Sequence, residues 1–203
     1  MKIAVIGGSR GTGAELAQQS LAAGNEVVVV SRSGTGPAGA RTVAADATSA
    51  DDLADVATHA DVVVVTVGAA RGTKRQRTTV TRAVVEAMSR AGVRRIVVQS
   101  SLGAGDSARH MPPVLRGLMR LVLASALADH EEQEAVVRAS GLDWTIVRPS
   151  GLTSKPGTGS WRALEAADDG HLGGTIPRAD LAAFVLSLLD DDTAAGKAFS
   201  ISS

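Results

Sequence analysis

The heptapeptide Gly7-Gly8-Ser9-Arg10-Gly11-Thr12-Gly13 stands between an apolar run at 3–6 and an Ala/Leu-rich stretch with helical spacing. A tight passage from strand into helix needs residues without a Cβ. It also aims backbone N–H groups and the positive helix end at one point, where a pyrophosphate is stabilised. The spacing is G-x-x-x-G-x-G rather than the commoner G-x-G-x-x-G, so its weight comes from the flanking strand and helix. A glycine-rich surface turn is the alternative.

About twenty residues on, a dinucleotide fold that prefers NAD places an acid for the ribose 2′-hydroxyl. Here the apolar run 26–30 ends in Ser31-Arg32-Ser33, with no carboxylate. Arg10 and Arg32 are placed to converge on a 2′-phosphate, which a guanidinium fork pairs in a charge-assisted way. Each alone reads as a solvated surface charge; together they point to NADP(H).

Strand-like runs at 3–6, 27–30, 61–67, 95–99 and 144–147 alternate with helical patterns at 14–23, 50–58, 76–91 and 114–140. The runs are short, branched and continuous, as parallel strands buried on both faces should be. Their alternation predicts an α/β fold: a single-domain, Rossmann-like, doubly wound parallel sheet with helices on both faces. Gly24, Gly92 and Gly141 follow helical runs just before the next strand, where a left-handed cap is expected. A last helix at 178–189 and a strand at 198–201 close the chain. Between them, 150–177 reads as a substrate-side loop region within one domain spanning 1–203, its Gly/Ser-rich part lying at 155–174.

At 203 residues the chain suits one domain. Lys plus Arg and Asp plus Glu both number 21, so no net field draws it to nucleic acid or an acidic membrane surface. With no cysteine, disulfides, thiolate catalysis and cysteine metal sites are excluded. His59, His110 and His171 have no metal-ligand spacing, and no metal is expected. The start reads as lacking a signal peptide, and no apolar stretch reaches about eighteen residues. The expectation is a cytoplasmic monomer or small homo-oligomer. Tyrosine is absent, so no phenol is available as an acid.

GGSRGTG, Asp46 in AADAT, TVGAA, the Ser100-Ser101 pair and VRPSG resemble the short-chain dehydrogenase/reductase superfamily in its atypical, NmrA-like branch. Met111-Pro112-Pro113, Asp129-His130 and VVRASGL are most similar to the biliverdin IXβ reductase (NADPH flavin reductase) family. The resemblance implies that Asp46, after a third strand, accepts from the adenine amino group, with the Ala47 N–H beside the ring. A helix cap is the other role open to Asp46. Gly68 and Ala69 would pass the central ribose and phosphates, with Arg71 a further phosphate contact or, with Lys74, Arg75 and Arg77, part of a solvated face. Gln99 belongs to the same cofactor set. Ser101 would lie beside nicotinamide and substrate, donating or orienting a water; satisfying its own loop backbone is the alternative. Pro149 and Ser150 match the segment that brackets the carboxamide and meets substrate. Ser150 stands where biliverdin IXβ reductases carry histidine, which weakens a tetrapyrrole assignment.

The superfamily's Tyr-x-x-x-Lys pair falls at Ala126 and His130, so both groups are missing. His130 titrates near neutrality when unperturbed and is a candidate substrate contact or a structural histidine. Alcohol oxidation and sugar-nucleotide epimerisation depend on the absent phenol. Two functions remain: an NADPH-dependent reductase whose small-molecule acceptor is a flavin, quinone or tetrapyrrole, or a non-catalytic NADP(H)-binding sensor.

Overall fold

The computed structural model describes residues 1–68 and 75–203, apart from the side chains of residues 115 and 118–120. The first βαβ unit is β1 (Lys2–Ile6), α1 (Gly11–Ala22) and β2 (Glu26–Ser31), followed by β3 (Arg41–Ala44). There follow α2 (Ala50–Thr58), β4 (Val62–Val65), α3 (Gln76–Ala91) and β5 (Arg95–Gln99). After a 3₁₀ turn at Gly105–His110 come α4 (Pro113–Val122), α5 (Ala124–Arg138) and β6 (Asp143–Pro149). The chain closes with β7 (Gly151–Thr153), β8 (Arg162–Glu165), β9 (Thr175–Pro177), α6 (Arg178–Ser187) and β10 (Lys197–Ser202).

The main sheet has the order β3-β2-β1-β4-β5-β6-β10-β8, all parallel except β8, which runs antiparallel to β10. Strand residues alternate between two apolar layers, because successive side chains point to opposite faces. Ile3, Val5, Val29, Val64 and Val97 pack with Leu16 of α1 and Leu181 and Val185 of α6. Ala4, Ile6, Val63, Val65 and Ile96 pack with Leu53 of α2, Val84 and Met88 of α3 and Val137 of α5. This is the doubly wound architecture expected from the sequence.

The helical pattern at 114–140 is two helices, broken at Leu123 (φ −112, ψ 17) with neither proline nor glycine to mark the break. The segment at 150–177 is less irregular than its composition suggests: β7 and β9 pair in a small parallel sheet, and β8 extends the main one. Their short length left no periodic signal to read. Among the described residues, no helix is long and apolar enough to cross a membrane.

Candidate cofactor and active site

Strand order reverses between β1 and β4, and in open α/β sheets ligands bind beyond the carboxyl ends of the strands at such a point. The glycines make this geometry possible. A Cβ on Gly8 would meet Val29 and Val5 at 3.0 Å, and one on Gly13 would meet the Gly7 oxygen and Gly8 Cα at 2.8 Å as well as the Thr66 hydroxyl. Gly7 (φ 90) and Gly11 (φ 62) hold left-handed backbone that favours glycine. The turn into α1 is therefore drawn onto the sheet. Arg10, its N-cap, makes no side-chain capping bond, and no acid lies in the first turn, so the helix end is set up for an external anion.

A cleft of about 550 Å³ opens over this turn, with Gly7, Ser9, Arg10, Gly11 and Thr12 as its floor. Arg32, Asp46 and Ala47 line one end, and Gly68 and Gln99 line it further along. A side recess of about 540 Å³ is bounded by Ser9, Arg10, Arg32, Ser33 and Thr35. Its wall is the turn after β2, built by the Ser31 hydroxyl, which donates to the Thr35 oxygen at 2.9 Å and accepts from the Thr35 N–H at 3.1 Å. Asp46 accepts from the Thr48 N–H (2.9 Å) and hydroxyl (2.8 Å), which hold its carboxyl below the usual range, with Arg32 adding to the effect. The cap of α2 is Ser49, accepting from Asp52 N–H at 3.2 Å, so Asp46 is not needed for that role.

Gly8 and Gly13 lie beneath the floor, packing α1 to the sheet. Ala69 and Arg71 lie outside the described residues. Ser101, Pro149 and Ser150 do not line the cleft; they stand at the carboxyl ends of β5 and β6, Ser101 two residues after Gln99 and Pro149 and Ser150 at the end of β6. The N–H groups of Ser100 and Leu102 donate to Val147 (2.7 Å) and Pro149 (2.9 Å), which sets Ser101 against the end of β6. The Ser101 hydroxyl makes a long 3.3 Å bond to the Leu102 oxygen. Gln99 Oε1 and Ser150 Oγ are buried polar atoms without a hydrogen-bond partner among the described residues.

His130 is buried on α5, with Nδ1 3.2 Å from Gln133 Oε1. Burial, aided by Arg77, pushes its pKa down to about 4, so it is neutral at pH 7 rather than titrating near neutrality. Its neighbour Asp129 accepts from the N–H groups of Arg77 (3.2 Å) and Thr78 (3.1 Å), fixing the first turn of α3, from which Gln76 and Val80 reach the cleft.

Leu152, Ser154, Thr66 and Arg178 also line the cleft, and sequence reasoning missed them. Arg178 stands first in the last helix, after Pro177, a signal of helix start that says nothing of which helix end it faces. Arg10, Arg32 and Arg178 have no ion-pair partner among the described residues. By contrast Arg148, on β6 below the site, is wholly buried between Glu134 and Asp106.

Three guanidiniums without a close ion pair among the described residues, an open helix end, a glycine floor and a buried amide oxygen fit a nicotinamide dinucleotide. Fold and site together define a dinucleotide-binding domain of Rossmann type. The chain belongs to the NAD(P)H-binding family, whose model matches residues 7–192. It is 36% identical over 120 residues to the UPF0659 protein YMR090W of Saccharomyces cerevisiae, a match spanning 58% of this chain and 50% of that one. It is 29% identical over 158 residues to the uncharacterized sugar epimerase YhfK of Bacillus subtilis, covering 75% of this chain and 68% of the other. Its fold is similar to ChuY, an anaerobillin reductase from Escherichia coli O157:H7, with TM-score 0.83, 25% identity, and 99% and 96% of the two chains covered. A short-chain dehydrogenase/reductase from Veillonella parvula, in complex with NADP, shares the fold with TM-score 0.83 at 19% identity, covering 100% and 94%.

Proposed function

We propose that the protein is an NADPH-dependent reductase that passes hydride to a flavin, quinone or tetrapyrrole-type acceptor. The observation that carries the reading is the recess bounded by Arg10, Arg32, Ser9, Ser33 and Thr35, with no carboxylate in its lining. Such a lining suits a 2′-phosphate and not a bare ribose 2′-hydroxyl, which an acid would grip.

NADPH, when bound, supplies the hydride. The floor from Gly7 to Gly13 and the end of α1 would hold its pyrophosphate, Asp46 and Ala47 its adenine, and Gln99, Pro149 and Ser150 its carboxamide end. The unpartnered atoms Gln99 Oε1 and Ser150 Oγ support that assignment, because a buried polar group left unpaired is costly. Ser101 stands at the same edge, where its hydroxyl can donate to an acceptor or hold a water.

A phenol acid is what this chain lacks. It has no tyrosine, and His130 is buried and neutral at pH 7. Reduction of an isolated carbonyl concentrates charge on one oxygen and needs a donor there, whereas a flavin, quinone or tetrapyrrole spreads it within the acceptor. The activity in the name of the E. coli structural relative supports a bilin-type acceptor, and the missing phenol speaks against the epimerase activity in the Bacillus relative's name. The test is NADPH oxidation on addition of FMN, riboflavin or a quinone, with aliphatic ketones in parallel. Turnover with the first group and background rates with ketones are expected. Tight NADPH binding without oxidation by any acceptor would instead make the protein an NADP(H) sensor.

A further inference from the structure

We propose that Arg178 is a ligand of the cofactor pyrophosphate, and that through Ser154 it ties occupancy of the cleft to the segment following β6. The proposal rests on the reading that the cleft holds a nicotinamide dinucleotide. Arg178 opens α6, yet its arm lies over the start of α1: a Cβ built on Gly11 would stand 3.5 Å from its Nε and 3.7 Å from its Cδ. Further along α1 the Gln19 side-chain amide donates to the Ala179 oxygen at 2.9 Å. The start of α6, which carries Arg178, is thereby held against α1.

Electrostatics make the position unfavourable for a cation by itself. Arg178 sits at the positive end of its own helix and against the positive end of α1, where anions are stabilised and cations are not. Among the described residues no carboxylate comes within ion-pair distance of it; its Nη1 donates to the neutral hydroxyl of Ser154 at 3.1 Å. A guanidinium has five donors in a planar fork, well matched to phosphate oxygens. An anion held between Arg178 and the first N–H groups of α1 resolves both unfavourable contacts together.

The same helical turn anchors the segment beyond β7. Asp180 is buried and accepts from the Thr158 N–H (2.9 Å) and hydroxyl (2.8 Å) and from the Gly159 N–H (2.9 Å). A Cβ on Gly157 would come within 2.8 Å of Asp180 Oδ1, so this segment lies directly on the helix. Arg178 toward phosphate and Ser154, and Asp180 toward 157–159, therefore link the cofactor cradle to 151–160.

The experiment is calorimetric titration of NADPH and NADH into wild type, Arg178→Ala, Arg178→Lys and Arg32→Ala. Because pyrophosphate is common to both cofactors, Arg178→Ala should weaken both by roughly tenfold to a hundredfold and leave their ratio unchanged. Arg178→Lys should recover part of the loss, since it keeps the charge and loses the fork. Arg32→Ala should weaken NADPH alone. Unchanged affinities in a folded Arg178→Ala protein would overturn the proposal, as would a loss confined to NADPH. If wild type binds NADH as tightly as NADPH, the NADPH reading fails, while an equal loss of both in Arg178→Ala still supports the role of Arg178. Limited proteolysis checks the second half: saturating cofactor should protect 151–160 in wild type and protect it less in Arg178→Ala, and equal protection would overturn the tie.

Discussion

Arg148 of β6 and Glu134 of α5 form a two-point ion pair, Nε to Oε1 at 2.9 Å and Nη2 to Oε2 at 2.6 Å, with the arginine wholly buried. Glu134 also accepts from the Ser100 hydroxyl at 2.7 Å, and Arg148 Nη2 reaches Asp106 at 2.6 Å. The pair thus joins β5, β6, α5 and the 3₁₀ turn just below Ser101. Glu134→Ala would leave a buried guanidinium short of its main partner, which costs about 3 to 5 kcal/mol. In a chain of this size that is a fall in Tm of roughly 10 °C, measurable by calorimetry. A fall under about 2 °C would show that Asp106 alone satisfies the charge.

Arg32→Ala should remove most of the preference for NADPH over NADH, because charge-assisted contacts are worth roughly 1.5 to 3 kcal/mol each. Wild type should favour NADPH by at least about tenfold. Titration of both cofactors reads this directly; equal affinities in wild type would remove the 2′-phosphate role of the recess.

Ser101→Ala should fold normally and lose on the order of tenfold to a hundredfold in kcat/KM with a flavin acceptor. The hydroxyl's bond to the Leu102 oxygen is 3.3 Å, so little structure depends on it. Unchanged kcat/KM would assign the serine to its loop.

His130 gives the fold a pH dependence of known sign. Burial holds it neutral in the folded state down to about pH 4, whereas the unfolded chain takes up the proton near the ordinary histidine value of 6.5. Between these values the unfolded state binds more protons, so stability is complete above pH 6.5 and falls toward pH 4 by up to about 3 kcal/mol. Urea unfolding at pH 7 and pH 5 should show the loss in wild type and a smaller one in His130→Gln. Identical pH slopes in the two proteins would mean the histidine is not held neutral by burial.

The glycine floor of the cleft was legible because its geometry is local. Gly7 to Gly13, Arg10 and Arg32 lie close in the chain to the strand ends that present them, and the strict alternation of branched runs with helical ones fixes which edge they share. Asp46 was legible only through resemblance, since β3 (Arg41–Ala44) is too short and too polar to read as a strand. Arg178 could not be found this way. Its relevance comes from a helix at the far end of the chain packing on α1 through Gln19 and Ala179.

His130 shows the same division. The sequence by itself determined that no tyrosine serves as an acid, that the fold alternates strand and helix, and that a glycine turn leads from β1 into α1, because each follows from residue type and near-neighbour spacing. Only the tertiary structure decided that His130 is neutral, that the helical run breaks at Leu123, and that Arg178 faces the cradle. Burial, helix packing and the charges met across the fold are set by residues far apart in the chain, and no local pattern encodes them.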